Sequence, residues 1–211
     1  MNNTFIRPDF PLVLASASPR RRRLLEQAGL PFKAVPAEIT ENTSGSEPAG
    51  IACRLARQKA EAVSRVFPGR WIVGADTVVV LEESILGKPA DREEARDMLE
   101  RLSGRDHKVI TGFSILAPPG DEVHTERAGT TVRFKPLEST ELEGYLDTGE
   151  PFGKAGSYAI QGIGAFLVES IRGSYTNVVG LPLCALISAL VSVRALERYP
   201  LRWNPHASSG A

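Results

Sequence analysis

Trp71-Ile-Val-Gly-Ala-Asp-Thr-Val-Val-Val-Leu81 is an apolar, β-branched run without polar alternation, the pattern of a strand covered on both faces. Asp76 falls inside it. Aspartate is depleted in strands, and burying an unpaired carboxylate is costly, so Asp76 needs a cation, a metal or several hydrogen-bond donors. Backbone N–H groups at a bulge would satisfy a purely structural aspartate. Its place in a central strand, away from any turn, points instead to a functional role.

A second conflict lies at Leu12 to Arg23. Leu12 to Ala15 reads as a short apolar strand, Ser18 is a good N-cap and Pro19 suits the first helical position. Arg20 and Arg21 then enter the first turn of a helix, beside unpaired N–H groups and the positive end of the dipole. A bound phosphate group would use those N–H groups, the hydroxyls of Ser16 and Ser18 and the guanidinium forks together. The alternative is a solvated basic turn.

Between and after these stretches the chain alternates strands and helices. The first helix runs to Ala28 before Gly29, and Phe32 to Val35 is a second strand. Glu38 to Glu47 is a polar loop whose Glu38 and Glu41 are each placed to approach a metal. A helix follows from Pro48 to about Phe67, with Ala52, Leu55, Ala56, Ala62, Val63 and Val66 as its apolar stripe. Lys59 lies within that stripe, either with its stem along the core edge or with its ammonium aimed at an anion. Lys88 sits in the loop Leu86-Gly-Lys-Pro89, and Asp91 caps a helix to Leu102. Two long strands, His107 to Leu116 and Val123 to Lys135, precede a helix from Glu138 to Leu146. Glu150 to Gly164 is rich in glycine around Lys154, Tyr158 and Gln161, which permits close backbone approach to a ligand. Phe166 to Ile171 is a strand, and Asn177-Val-Val-Gly-Leu-Pro182 leads into a final buried helix.

Length and charge bound the function. The 211 residues suit one domain, expected over 10–198, with flexible termini at 1–9 and 199–211. The 25 basic residues balance the 25 acidic ones, which gives no general pull toward nucleic acid or membrane. Leu181 to Val193 is shorter than the roughly 20 residues that span a bilayer. Cys53 and Cys184 lack C-x-x-C spacing and read as small core residues. With no basic segment and apolar run at the N-terminus, the expectation is a soluble cytoplasmic protein.

Several chemistries drop out. There is no G-x-x-x-x-G-K-[ST], and the three histidines are scattered. Gly87, Glu93 and Arg101 stand at the spacing that opens a Nudix box, but Leu102-Ser-Gly-Arg-Asp-His107 replaces the acidic residues that should follow. A hydrolase working through carboxylate and metal remains.

Six motifs, in order, span most of the chain: A-S-x-S-P-R-R at 15–21, A-R-x-K-A at 56–60, G-A-D-T-V-V at 74–79, G-K-P at 87–89, K-A-G-x-Y-x-I-Q-G at 154–162 and G-S-Y-x-x-V-V-G-L-P-L at 173–183. Together they resemble the Maf-type nucleoside triphosphate pyrophosphatases. The resemblance implies an ITPase-like α/β fold: an extended, curved mixed sheet flanked by helices, in two lobes with a central cleft. It implies hydrolysis of a nucleoside triphosphate to monophosphate and pyrophosphate, with magnesium or manganese as the divalent cation, and a homodimer. Asp76 takes the position of the catalytic carboxylate and a metal ligand, with Glu41 as its metal-site partner. Arg20, Thr77 and Gln161 take the positions that set base specificity, while Ser16, Ser18, Arg21, Lys59 and Lys88 fall where polyphosphate contacts are expected.

Within that family one branch prefers dTTP and UTP, and another prefers 7-methyl-GTP and typically carries an aromatic residue, glutamine and glutamate at the three specificity positions. Arg20, Thr77 and Gln161 resemble the first branch, and modified pyrimidine nucleotides would fit the same site. The competing readings are the 7-methyl-GTP branch, a nucleotide-binding regulator of cell division with little turnover, and nucleic-acid binding through Arg20 to Arg23. Neutral overall charge and the lack of an aromatic platform beside the arginines oppose the last.

Overall fold

A computed structural model describes residues 5–42 and 47–201. The tip of the expected loop at 43–46 and the termini 1–4 and 202–211 lie outside the described residues. The chain alternates β1 (Leu12–Ala15), α1 (Pro19–Gln27), β2 (Phe32–Val35), α2 (Pro48–Ser64), β3 (Ile72–Leu81), β4 (Ser84–Leu86) and α3 (Arg92–Leu102). It continues through β5 (Asp106–Ala117), β6 (Asp121–Phe134), α4 (Ser139–Asp147), β7 (Val168–Arg172), α5 (Tyr175–Val179) and α6 (Leu183–Ser192). Two short 3-10 turns, Ala155–Ser157 and Ile163–Leu167, carry the glycine-rich segment.

All seven strands form one mixed sheet in the order β2-β1-β3-β5-β6-β7, with β4 joining the edge of β3. β1 runs parallel to β2 and β3, and the remaining pairs are antiparallel. The register opens a gap beside β3. β1 pairs with it only as far as Gly74, and β4 begins at Val79. The edge of β3 from Ala75 to Val78 therefore has no strand beside it among the described residues, just beyond the carboxyl end of β1. Open α/β sheets bind ligands at such a place, because loops leaving the strand ends diverge around it.

Helix α2 lies unusually close to the sheet. A Cβ on Gly74 would stand 2.0 Å from the Ala56 carbonyl oxygen, and one on Gly112 would stand 2.5 Å from the Cys53 nitrogen. Only glycine at both strand positions lets the helix backbone settle there, which brings Lys59 down over the β3 gap. Apolar side chains form two main cores, one around Leu14, Leu24, Val73 and Leu190 and the other around Leu99, Phe134, Tyr145 and Tyr158. They make two lobes on either side of the gap.

Several sequence expectations shift. Helix α2 ends at Ser64, short of Phe67, because Pro68 disfavours helical geometry in the residue before it. Val66 consequently leaves the stripe and is 71% exposed. Cys184 is exposed and Cys53 half-buried, since α6 turns Leu186, Ala189 and Leu190 inward and presents Cys184 on its outer face. α5 and β4 were not expected. Nor is the described part of the N-terminus loose: Ile6 is buried in the first core, and its N–H donates to Ala195 O at 2.9 Å. At the other end the Tyr199 hydroxyl donates to Ala28 O at 2.9 Å. Among the described residues, no helix is long and apolar enough to cross a membrane.

Candidate active site

A cleft of about 710 Å³ opens at the β3 gap. Ser16, Ser18, Arg20, Arg21, Glu41, Lys59, Asp76, Thr77, Lys88 and Gln161 all line it. Residues from Ser16 to Gln161, 145 positions apart in sequence, thus meet in one hollow. The motif strands and loops converge because the sheet register and the close α2 approach leave one space between the lobes.

Lys59 and Asp76 form its floor. The Asp76 carboxylate is buried, and Lys59 Nζ donates to its Oδ1 at 2.5 Å and to Glu41 Oε1 at 2.6 Å. One ammonium therefore holds two carboxylates, one from strand β3 and one from the loop before α2. This answers the cost of a carboxylate in a covered strand. Lys59 neither runs out along the core edge nor waits unpaired for an anion; its charge is already engaged.

Arg21 settles the conflict at the start of α1 in a similar way. Its Nε donates to Gly180 O at 2.7 Å, at the C-terminal end of α5, so the cation disfavoured by one helix start sits at the negative end of another. Nη1 reaches Ser16 Oγ at 3.3 Å and Nη2 reaches Thr77 Oγ1 at 3.1 Å.

Counting donors and acceptors fixes what two hydroxyls can still offer. Ser16 Oγ accepts from the Ser18 N–H at 3.2 Å and from Arg21, and no described residue accepts its own proton. Ser16 is thus a donor toward the cleft. Thr111 Oγ1 donates to Asn177 O at 3.1 Å, so the proton in the 2.9 Å contact between Thr77 and Thr111 comes from Thr77. With its proton spent and Arg21 on one lone pair, Thr77 faces the cleft as an acceptor.

Residues 11–193 match the sequence model of the Maf-like proteins. The chain belongs to that family. Relatives named dTTP/UTP pyrophosphatase from Geotalea uraniireducens (strain Rf4) and Geobacter sulfurreducens are 49% and 50% identical to this Maf-like protein, each over 88% of this chain and over 96% and 97% of the relative. One from Citrifermentans bemidjiense is 50% identical over 88% of this chain and 96% of that relative.

The Maf-like cleft is rich in positive charge: Arg20, Arg21, Lys59, Lys88 and Lys154 line it against Asp76 and Glu41. Burial pushes the Arg20 guanidinium down from its ordinary value, with Glu150 and Tyr145 opposing the shift, and burial pushes Arg21 down against the opposing charge of Asp76. Partial burial pushes the Glu41 carboxyl up, but the hydrogen bond and charge of Lys59, with Lys88 and Arg21 farther off, outweigh it and hold the group below the usual carboxylate range. Arg20, Lys88 and Gln161 make no side-chain hydrogen bond or salt bridge among the described residues, so their polar ends remain for a ligand.

Sequence reasoning gave no role to Lys154, Thr111 or Asn177. Lys154 lines the cleft, and its ammonium is bonded to Glu150 O; burial pushes it below its ordinary value. Its place in the glycine-rich motif was the available signal. Asn177, buried, donates to Val109 O and to Thr130 Oγ1, both at 2.9 Å, and holds α5 against the sheet. Nothing local in sequence marks that role, because its partners lie on β5 and β6.

Proposed function

We propose that this Maf-like protein hydrolyses nucleoside triphosphates to the monophosphate and pyrophosphate, with dTTP and UTP as preferred substrates, in housecleaning of the cytoplasmic nucleotide pool. The observation that carries the reading is the Asp76 carboxylate at the β3 gap, held by Lys59 at 2.5 Å in a cleft whose lining cations outnumber its anions. The names of relatives about 50% identical over 88% of this chain support the same substrates.

A polyphosphate meets the donors that the cleft leaves open: Lys88, the Ser16 hydroxyl and the backbone N–H of Arg20 at the start of α1. Arg21 and Lys59, already tied to the protein, contribute charge without having to be ordered on binding. Asp76 orients water against the α-phosphorus and takes its proton as the new phosphorus–oxygen bond forms. The bond from the α-phosphorus to the bridging oxygen breaks, and pyrophosphate leaves toward the cations. Charge developing on the departing oxygens is met by groups fixed in advance.

The donor set fits a hard divalent cation. Asp76 and Glu41 converge on one position, now spanned by Lys59 Nζ, and no group of three or more His, Cys, Asp or Glu side chains able to hold a metal occurs among the described residues. Magnesium commonly binds through one or two carboxylates together with phosphate oxygens and water. Asp76 and Glu41 would hold magnesium or manganese, which would supply neutralisation of phosphoryl charge.

Base preference follows from Gln161 and Thr77, which also line the cleft. Gln161 has an amide that donates and accepts at once, and Thr77 offers an acceptor, which together match the alternating carbonyl and N–H edge of uracil or thymine. Incubating the purified protein with magnesium or manganese and a panel of nucleotides tests the reading. Monophosphate and pyrophosphate should appear fastest from UTP and dTTP, and failure to obtain them from any pyrimidine triphosphate overturns it.

A further inference from the structure

Gln161 carries no side-chain bond of its own, so its position is decided by whatever fixes its backbone. Glu150, just beyond α4, does this. Its Oε1 accepts from the Gly164 N–H at 2.8 Å and the Tyr145 hydroxyl at 2.9 Å, and its Oε2 accepts from the Ile163 N–H at 3.0 Å. The Tyr145 hydroxyl in turn accepts from the Ala159 N–H at 3.3 Å. One carboxylate and one phenol thus grip the loop on both sides of Gln161. The fit leaves nothing over at Gly162, where a Cβ would stand 1.9 Å from Glu150 Oε2.

The charge of the same carboxylate is also felt by Arg20, the specificity residue on the other lobe, with which it makes no salt bridge among the described residues. Its charge opposes the burial of Arg20, and it faces Lys154. Glu150 itself is absent from the cleft lining. Hydrogen bonds from N–H groups to a charged carboxylate are about twice as strong as neutral ones, and a recognition group must be held within about 0.5 Å of its productive place.

We propose that Glu150 is a positioning residue for base recognition, which fixes the Gln161 loop and supplies the counter-charge for Arg20 without touching the nucleotide. The proposal rests on the pyrimidine nucleotide reading above. Glu150→Gln is the informative change. It keeps the shape, but its NH2 end meets the Ile163 N–H donor to donor, while the charge opposite Arg20 is lost.

Steady-state kinetics with UTP and GTP, and amide hydrogen exchange at Ile163 and Gly164 without nucleotide, read the two halves of the claim. For Glu150→Gln, KM for UTP should rise about tenfold, as for one lost hydrogen bond, with kcat within about threefold. The preference for UTP over GTP should fall by a similar factor, and exchange at both amides should quicken about tenfold or more. Gly162→Ala, which pushes the same contact from the loop side, should reproduce the KM and exchange effects. Faster exchange with unchanged KM and unchanged base preference would make Glu150 a structural residue only and overturn the proposal, as would a loss confined to kcat. If the unaltered protein turns over no pyrimidine triphosphate, the functional reading fails first. If it does and the variants match it, only the role of Glu150 fails.

Discussion

Gly74 on β3 lies so close beneath Ala56 on α2 that a Cβ there would stand 2.0 Å from the Ala56 carbonyl oxygen. The obstacle is helix backbone, which cannot swing aside as a side chain would. Gly74→Ala, or Gly112→Ala under Cys53, should therefore lift α2 and carry Lys59 away from Asp76. Overpacking of this kind costs about 1–3 kcal/mol. A lowered urea midpoint together with a fall in turnover larger than the unfolded fraction explains is the expected result.

The contact that this packing delivers, Lys59 Nζ to Asp76 Oδ1 at 2.5 Å, should divide chemistry from stability. Asp76→Asn should lose about 10²-fold to 10⁴-fold in kcat, the range of general acid–base assistance, while its circular dichroism stays that of the unaltered protein. Lys59→Met leaves a buried carboxylate without its cation and should cost about 3–5 kcal/mol. The double variant should recover part of that loss, since the carboxylate is gone; additive losses in urea unfolding would remove the pair from the account.

The cation spanning Asp76 and Glu41 also separates the proposed metal dependence from folding. With Lys59 bonded to both carboxylates, the site needs no metal to offset their repulsion. A chelator should therefore abolish turnover, with the melting temperature shifting by less than about 2 °C, and magnesium or manganese should restore activity. A large drop in melting temperature would mean that the metal holds the fold together.

Thr77 sits in a chain of hydrogen bonds whose direction is set from its far end by Asn177 O. Thr77→Val keeps the volume but deprives Arg21 Nη2 and Thr111 of their partner and the cleft of its acceptor. A loss of about tenfold or more in kcat/KM for UTP is expected, as for a buried donor left unpaired. Thr77→Ser should retain most of the activity, because the hydroxyl remains.

What could be read in advance followed physical range. β1, α1, β2 and α3 were legible because caps, prolines and apolar spacing are local signals. The anomalies were legible too: Asp76 in a covered strand and Arg21 at a helix start each violate a local rule, and both are resolved in the same cleft. Their solutions were not, since Gly180 O lies 159 positions from Arg21. The end of α2 was missed because Val66 continues the helical spacing while Pro68, two residues later, overrides it. Glu150 was passed over because nothing in its own neighbourhood conflicts with it. Its importance comes from Ile163 and Gly164 folding back over its carboxylate.

The second core carries a pH dependence of its own. His107 is buried edge-on against Phe134 and Tyr158, its Nε2 2.8 Å from the Tyr158 hydroxyl, and its Nδ1 has no partner. Burial pushes its pKa down to about 4, against the opposing charge of Asp106. In the unfolded chain the imidazole titrates near the ordinary value of about 6.5, so between these values the unfolded state binds the proton and the folded state does not. Stability from this residue is complete above pH 6.5 and is lost as pH falls toward 4. The loss should reach about 2 kcal/mol at pH 5 and about 3 kcal/mol at pH 4. Urea unfolding at pH 7.5 and pH 5 should show the decline in the unaltered protein and a flatter profile in His107→Phe. At pH 5 the Glu41, Glu141 and Glu150 carboxylates, all held below their ordinary values, are still largely ionised in both states. Equal slopes in the two proteins over that interval would show that the imidazole is not the group responsible.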